Sequence, residues 1–126
     1  MGRPRIFKTK WFQRFARKQG IEDAALLEAV ARAEKGQIDA NLGGGVIKQR
    51  IPRPGEGRSG GFRTIVLFRP RDRAVFMYGF AKSARANVRV DEVKQFKEAA
   101  MHVLALTQAQ LEELVRRRDF TEVNGT

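Results

Sequence analysis

Lys48, Arg50, Arg63 and Lys82 are the residues whose types and spacing can do chemistry in this sequence. Lys48 and Arg50 are two positions apart, so an extended strand projects them from one side. Arg63 opens a second extended segment and Lys82 follows a third; a β-β-β meander can gather all four on one surface. The intervening loop adds Arg53 and Arg58. Cations crowded without carboxylates repel one another, and a polyphosphate turns that cost into attraction. RNA brings its own nucleophile, the 2′-hydroxyl. Cleavage then needs its deprotonation, stabilisation of the phosphorane charge and protonation of the leaving oxygen. A lysine among other cations gives up its proton more readily and can serve in proton transfer. Arginine suits the charge-stabilising part through its forked donors and permanent charge. No metal and no cofactor is required. A basic strand face is also a common form of pure binding surface, so RNA binding without cleavage stays open.

The charge distribution agrees. Net charge is +11 over 126 residues. Residues 1–20 carry seven basic and no acidic groups, and residues 46–90 carry eleven against two. Residues 21–45 and 91–126 are net acidic, at −3 and −2. Such a field draws in polyanions and speeds encounter with them. No basic amphipathic helix is evident to lie on a membrane, and no apolar run approaches the roughly 20 residues of a spanning helix. The amino terminus is basic without the apolar stretch of a secretory signal. Cysteine is absent, which excludes disulfides and thiolate metal sites and suits a reducing cytoplasm. The single histidine, His102, excludes histidine-pair zinc motifs. Glu22, Glu28, Glu34 and Asp39 lack metal-ligand spacing, and Ser59 has no nearby base. Tyr78 reads as part-buried in a strand, and Trp11 as a core residue with base stacking as its alternative.

The positioning elements follow from periodicity. Arg5–Lys8 reads as a first strand. Trp11, Phe12, Phe15 and Ala16 recur at helical spacing, stopped by Gly20. Asp23 is the expected N-cap of a second helix, which Gly36 closes. Gly43-Gly44-Gly45 is a turn, since no GK[ST] follows it to make a phosphate loop. The period then changes to two. VIKQRI, FRTIVLF and AVFMYGF read as three consecutive antiparallel strands, with Pro70–Arg73 turning the last pair. Asp91 is the expected cap of a helix bearing Val93, Phe96, Ala100, Val103 and Leu104. Thr107 with Gln110 forms a capping-box pattern before a last helix at about residues 107–119. The order β-α-α-β-β-β-α-α implies one α+β domain over residues 1–126, with helices covering one face of an antiparallel sheet.

VIKQRI, RPGEGRSGGFRTIVLF and AVFMYGFAKSARANV closely resemble the RelE-like toxins of bacterial type II toxin–antitoxin systems, in the HigB-type branch. The resemblance runs over about residues 5–118, and GRSGGFRT with YGFAKS is its most specific part. It implies a microbial-ribonuclease-like α+β fold and a ribosome-dependent endoribonuclease that cuts messenger RNA in the 30S A site. It also implies neutralisation by a cognate antitoxin of helix-turn-helix type. Lys48 and Arg50 resemble the family's paired basic strand residues, Arg63 its transition-state arginine, and Lys82 its basic residue after the final strand. The best-studied relatives place a catalytic tyrosine where this chain has Val88, so that a lysine, or Arg85 in a supporting role, would have to compensate. Arg53, Arg58 and Arg85 are then expected RNA contacts, and Arg69, Arg71 and Arg73 are hairpin-turn charges or general ribosomal RNA contacts. The alternatives are a ParE-like gyrase inhibitor, which shares the fold, and a non-catalytic ribosome-binding module.

Overall fold

The computed structural model describes residues 3–53 and 60–124. Strand β1 (Arg5–Thr9) passes directly into helix α1 (Lys10–Gln19), because the Thr9 hydroxyl accepts the Phe12 N–H and starts the helix. Gly20, at φ 72°, ends it. Helix α2 (Asp23–Glu34) follows, its last turn closed by the Gly36 N–H on Ala33 O. Strands β2 (Ala40–Gly43) and β3 (Val46–Ile51) form a hairpin. Its turn holds Gly43, Gly44 and Gly45 at positive φ, a conformation that only glycine adopts at little cost. Strands β4 (Phe62–Arg69) and β5 (Arg73–Ala81) form the second hairpin. Helices α3 (Val90–Val103) and α4 (Gln108–Arg116) lead to strand β6 (Phe120–Val123).

The strands make one six-stranded sheet in the order β2-β3-β4-β5-β1-β6. β1 runs parallel to β5, and the other pairs are antiparallel. The sheet divides the apolar residues into two cores. Ile6, Ile47, Phe62, Val66 and Phe76 pack with Phe12, Leu26 and Val30 of α1 and α2. Phe7, Val46, Ile65, Leu67 and Val75 pack with Ala100 of α3 and Leu111 of α4. Helices therefore cover both faces, where the sequence suggests one. The physical reason is visible in β4 and β5, whose side chains are apolar on both sides and demand two covers. No helix among the described residues is long and apolar enough to cross a membrane.

The three central antiparallel strands stand where the sequence places them, as does the Thr107–Gln110 capping box. Two caps differ. Glu22, not Asp23, precedes α2, and the Asp23 carboxylate instead accepts from the buried Lys8 ammonium at 2.8 Å. Arg89 precedes α3, and its N–H donates to Glu92 at 2.7 Å, leaving Asp91 in the first turn. β2 and β6 are additional, and β6 ties the segment after α4 into the sheet.

Gly61 sets the entry to β4. Its φ is 91°, and a Cβ there would lie 2.6 Å from Ile51 O. Gly61→Ala is expected to destabilise the fold by about 1–3 kcal/mol, through backbone strain and displacement of the β3 end. Urea denaturation checks this; an unchanged midpoint would show that the segment accommodates a side chain.

Candidate nucleic-acid interface

Register brings the cations together. Arg50 pairs with Arg63 across β3 and β4, and Arg63 pairs with Phe80 on β5. One row along, Lys48 pairs with Ile65, and Ile65 with Tyr78. The Lys82 N–H donates to Gly61 O at 3.1 Å, so backbone pairing continues one residue past β5. Lys48 and Lys82 thus lie on opposite sides of the Arg50–Arg63 pair. Directly opposed residues of an antiparallel pair hold their Cβ atoms about 4.5–5.5 Å apart, and like charges so placed repel. Among the described residues neither guanidinium has an acidic partner. The Arg63 Nη1 is buried and has no hydrogen-bond partner there. Asp39, the acid nearest in register, is engaged elsewhere: its carboxylate accepts the Arg50 backbone N–H at 2.5 Å and faces Arg32 at 3.9 Å.

The segment after β5 folds onto this face through Arg85. Its Nη1 donates to the Tyr78 hydroxyl at 3.0 Å, its Nε to Asn87 O at 2.9 Å, and its Nη2 to Glu92. The guanidinium also lies 5.4 Å from the Phe80 ring centre. Asn87 Oδ1 in turn accepts from Lys48 Nζ at 3.1 Å and from the Val88 N–H. Hydrogen bonding from Arg85, then from the Arg89 backbone, lowers the Glu92 carboxyl to about 2. Arg85 is therefore a clasp that sets Asn87 beside Lys48, more than a spare RNA contact. Asn87, Glu92 and Tyr78 are site residues that sequence reasoning did not select, because their partners are joined only by folding. Val88 packs into the α3-side core, so that position offers no proton acceptor.

The remaining arginines separate. Arg53 lies over the Phe62 ring at 4.6 Å, near the end of β3 and close to the cluster. Arg58 lies outside the described residues. Arg69, Arg71 and Arg73 are at the far end of the β4–β5 hairpin, about 20 Å from Arg63 at ~3.3 Å per residue. Arg73 does not qualify as an RNA contact. It is 3% exposed, and it donates to Asp72 and to Val103 O. Arg69 donates to Leu104 O, so both arginines satisfy carbonyls at the end of α3, where positive charge is favourable. The Arg71 N–H donates to Glu34. His102 is exposed. Among the described residues no group of three or more His, Asp or Glu is placed to hold a metal ion.

The two-cored α+β domain thus carries an Arg50–Arg63 pair on its β3–β4 face with no acidic partner among the described residues. The chain belongs to the RelE toxin family: the family model described as the RelE toxin of the RelE / RelB toxin–antitoxin system matches residues 4–123. No curated protein matches the chain closely enough to narrow that further. It is thus a toxin of a toxin–antitoxin pair, and the family pairs it with an antitoxin.

Two outcomes are expected from this geometry. Arg63→Leu relieves the opposed charges and should raise stability by about 0.2–1 kcal/mol at low salt, with a smaller gain at high salt. Equal denaturation midpoints for the two proteins at low salt would show that the pair is not repulsive. Glu92 is held below its ordinary value near 4.5, so its stabilising contribution is full above that pH and is lost as pH falls towards about 2. The exchange protection of the Asn87 and Val88 amides, relative to their intrinsic rates at each pH, should fall across that window, and Glu92→Gln should lower it already at neutral pH.

Proposed function

We propose that this chain is a ribosome-dependent endoribonuclease that cuts messenger RNA in the A site by metal-free attack of the 2′-hydroxyl. The single observation that carries the reading is the opposed, acid-free Arg50–Arg63 pair with a lysine on either side. A purely structural sheet has no use for it, since it opposes folding. A phosphodiester offers two non-bridging oxygens, and two guanidiniums match them with forked donors. As O2′ attacks phosphorus, the added negative charge falls between Arg50 and Arg63. Lys48 and Lys82 stand on opposite sides of that pair, as the two proton transfers require. One accepts the 2′-hydroxyl proton; the other supplies a proton to the departing 5′-oxygen as the P–O5′ bond breaks. The products are a 2′,3′-cyclic phosphate and a 5′-hydroxyl. Family membership supports the toxin role, and a ribosomal target places it in the cytoplasm. A cognate antitoxin of helix-turn-helix type would neutralise it by covering the β3–β4 cations or by blocking entry to the ribosome.

Programmed ribosomes incubated with the protein should give A-site cuts whose upstream fragment ends in a cyclic phosphate. Arg63→Gln should slow them by about 10²–10³-fold, the usual loss for one charge-stabilising donor. Lys82→Gln should also slow them, while Arg71→Gln at the distant hairpin should not. Equal cutting by Arg63→Gln would refute the site. Intact messenger with inhibited gyrase supercoiling would favour the ParE-like alternative, and salt-sensitive ribosome binding without cuts a non-catalytic module.

A further inference from the structure

Trp11 is the one large aromatic side chain among the exposed apolar residues described, at 43% exposure. An exposed apolar side chain alone is ordinary; its placement is what matters here. Parallel pairing of β1 with β5 runs from Arg5–Arg73 to Lys8–Phe76 and stops. The Thr9 hydroxyl reaches Met77 O at 3.5 Å, and the chain turns into α1. Beyond that point β5 continues to Ala81 with β4 on one side only. Trp11, in the first turn of α1, stands beside this stretch with its ring centre 4.6 Å from that of Tyr78. Phe15 stacks on it at 5.2 Å and 16°.

Tyr78 connects this aromatic group to the cations. It occupies the row of Lys48, its hydroxyl accepts from Arg85, and its ring lies 6.1 Å from Phe80, which pairs with Arg63. Trp11 is therefore about two strand spacings, ~10 Å, from Arg63 on β4, with Arg50 one strand further on β3. A single nucleotide spans that separation. Phe15 and Tyr78 hold the indole in place, so little side-chain freedom is lost when something binds to it.

We propose that Trp11 is the base-contacting residue of this site, receiving the nucleobase adjacent to the phosphate held by Arg50 and Arg63. This rests on the RNA-directed reading above and adds the group that meets the base. The clamp holds only the backbone, and in-line attack also needs the sugar fixed so that O2′ faces the P–O5′ bond. A base seated against Trp11 supplies that restraint. Every base has a π-face, so the contact is tolerant of sequence.

Trp11 is the only tryptophan in the chain, so intrinsic emission reports on it alone. The test titrates the full chain with an uncleavable 2′-O-methyl RNA pentamer and with an abasic backbone of equal length, following end-label anisotropy and tryptophan emission. The pentamer should quench Trp11 and bind Trp11→Ala roughly 5- to 150-fold more weakly, the range for loss of one stacked base. Trp11→Phe, which keeps a ring and the packing against Phe15, should lose less. The abasic chain should bind parent and Trp11→Ala alike. Pentamer binding with unchanged emission, and with equal affinity in Trp11→Ala, overturns the role of Trp11 and leaves the RNA reading standing. Failure of the parent to bind either oligomer at low salt overturns this inference, while A-site cutting of programmed ribosomes decides the RNA reading separately.

Discussion

Arg50 and Arg63 face each other across β3 and β4, two positive charges in direct cross-strand register with no acid between them. Their apposition is imposed by the cores. Val46 must face α3 while Ile47 and Ile51 face α2, and Phe62 and Val66 obey the same division on β4. A one-residue slip of either strand would turn its apolar set toward the wrong layer. Arg50 and Arg63 therefore cannot move apart without disassembling the apolar layers that stabilise the domain. Asp39 and Arg32 strengthen the constraint by bonding the Arg50 backbone N–H and carbonyl rather than its side chain. The cost of the repulsion is offset by burial elsewhere, and the site keeps its charge unspent.

Helix α3 couples this face to the second core. Near its amino end Glu92 holds Arg85, and Arg85 sets Asn87 against Lys48. Its last carbonyls are satisfied by Arg69 and Arg73 from the opposite end of the hairpin. The arginines of this basic chain thus divide by task. Some terminate or clasp α3, while Arg50 and Arg63 have no acidic partner among the described residues.

Much of this was legible because it follows from alternation. VIKQRI segregates apolar from basic side chains, and that alone puts Lys48 and Arg50 on one face. The segments FRTIVLF and AVFMYGF also carried a signal of a doubly covered sheet, since neither leaves a polar face. β2 and β6 were not legible: each is four residues long, too short for periodicity, and each exists only by pairing with a neighbour. Arg73 reads as a turn charge because the carbonyl it satisfies, Val103 O, is 30 residues downstream. Asn87 went unselected for the same reason, since Lys48 is 39 residues away; Glu92 is seven residues from Arg85, but the pair spans the loop before α3, where no periodicity aligns them. Val88 marks the converse. The resemblance singles out that position, and the fold uses it for an apolar contact in the α3-side core.

The most direct test of the account is a side-chain NMR titration of the arginine Nε–H and lysine ammonium resonances with an uncleavable 2′-O-methyl dinucleotide. The largest changes should fall on Arg50, Arg63 and Lys48 at stoichiometric ligand, with Arg69 and Arg73 unmoved. Changes that centre on the hairpin arginines, or that spread evenly over all surface cations, would contradict it.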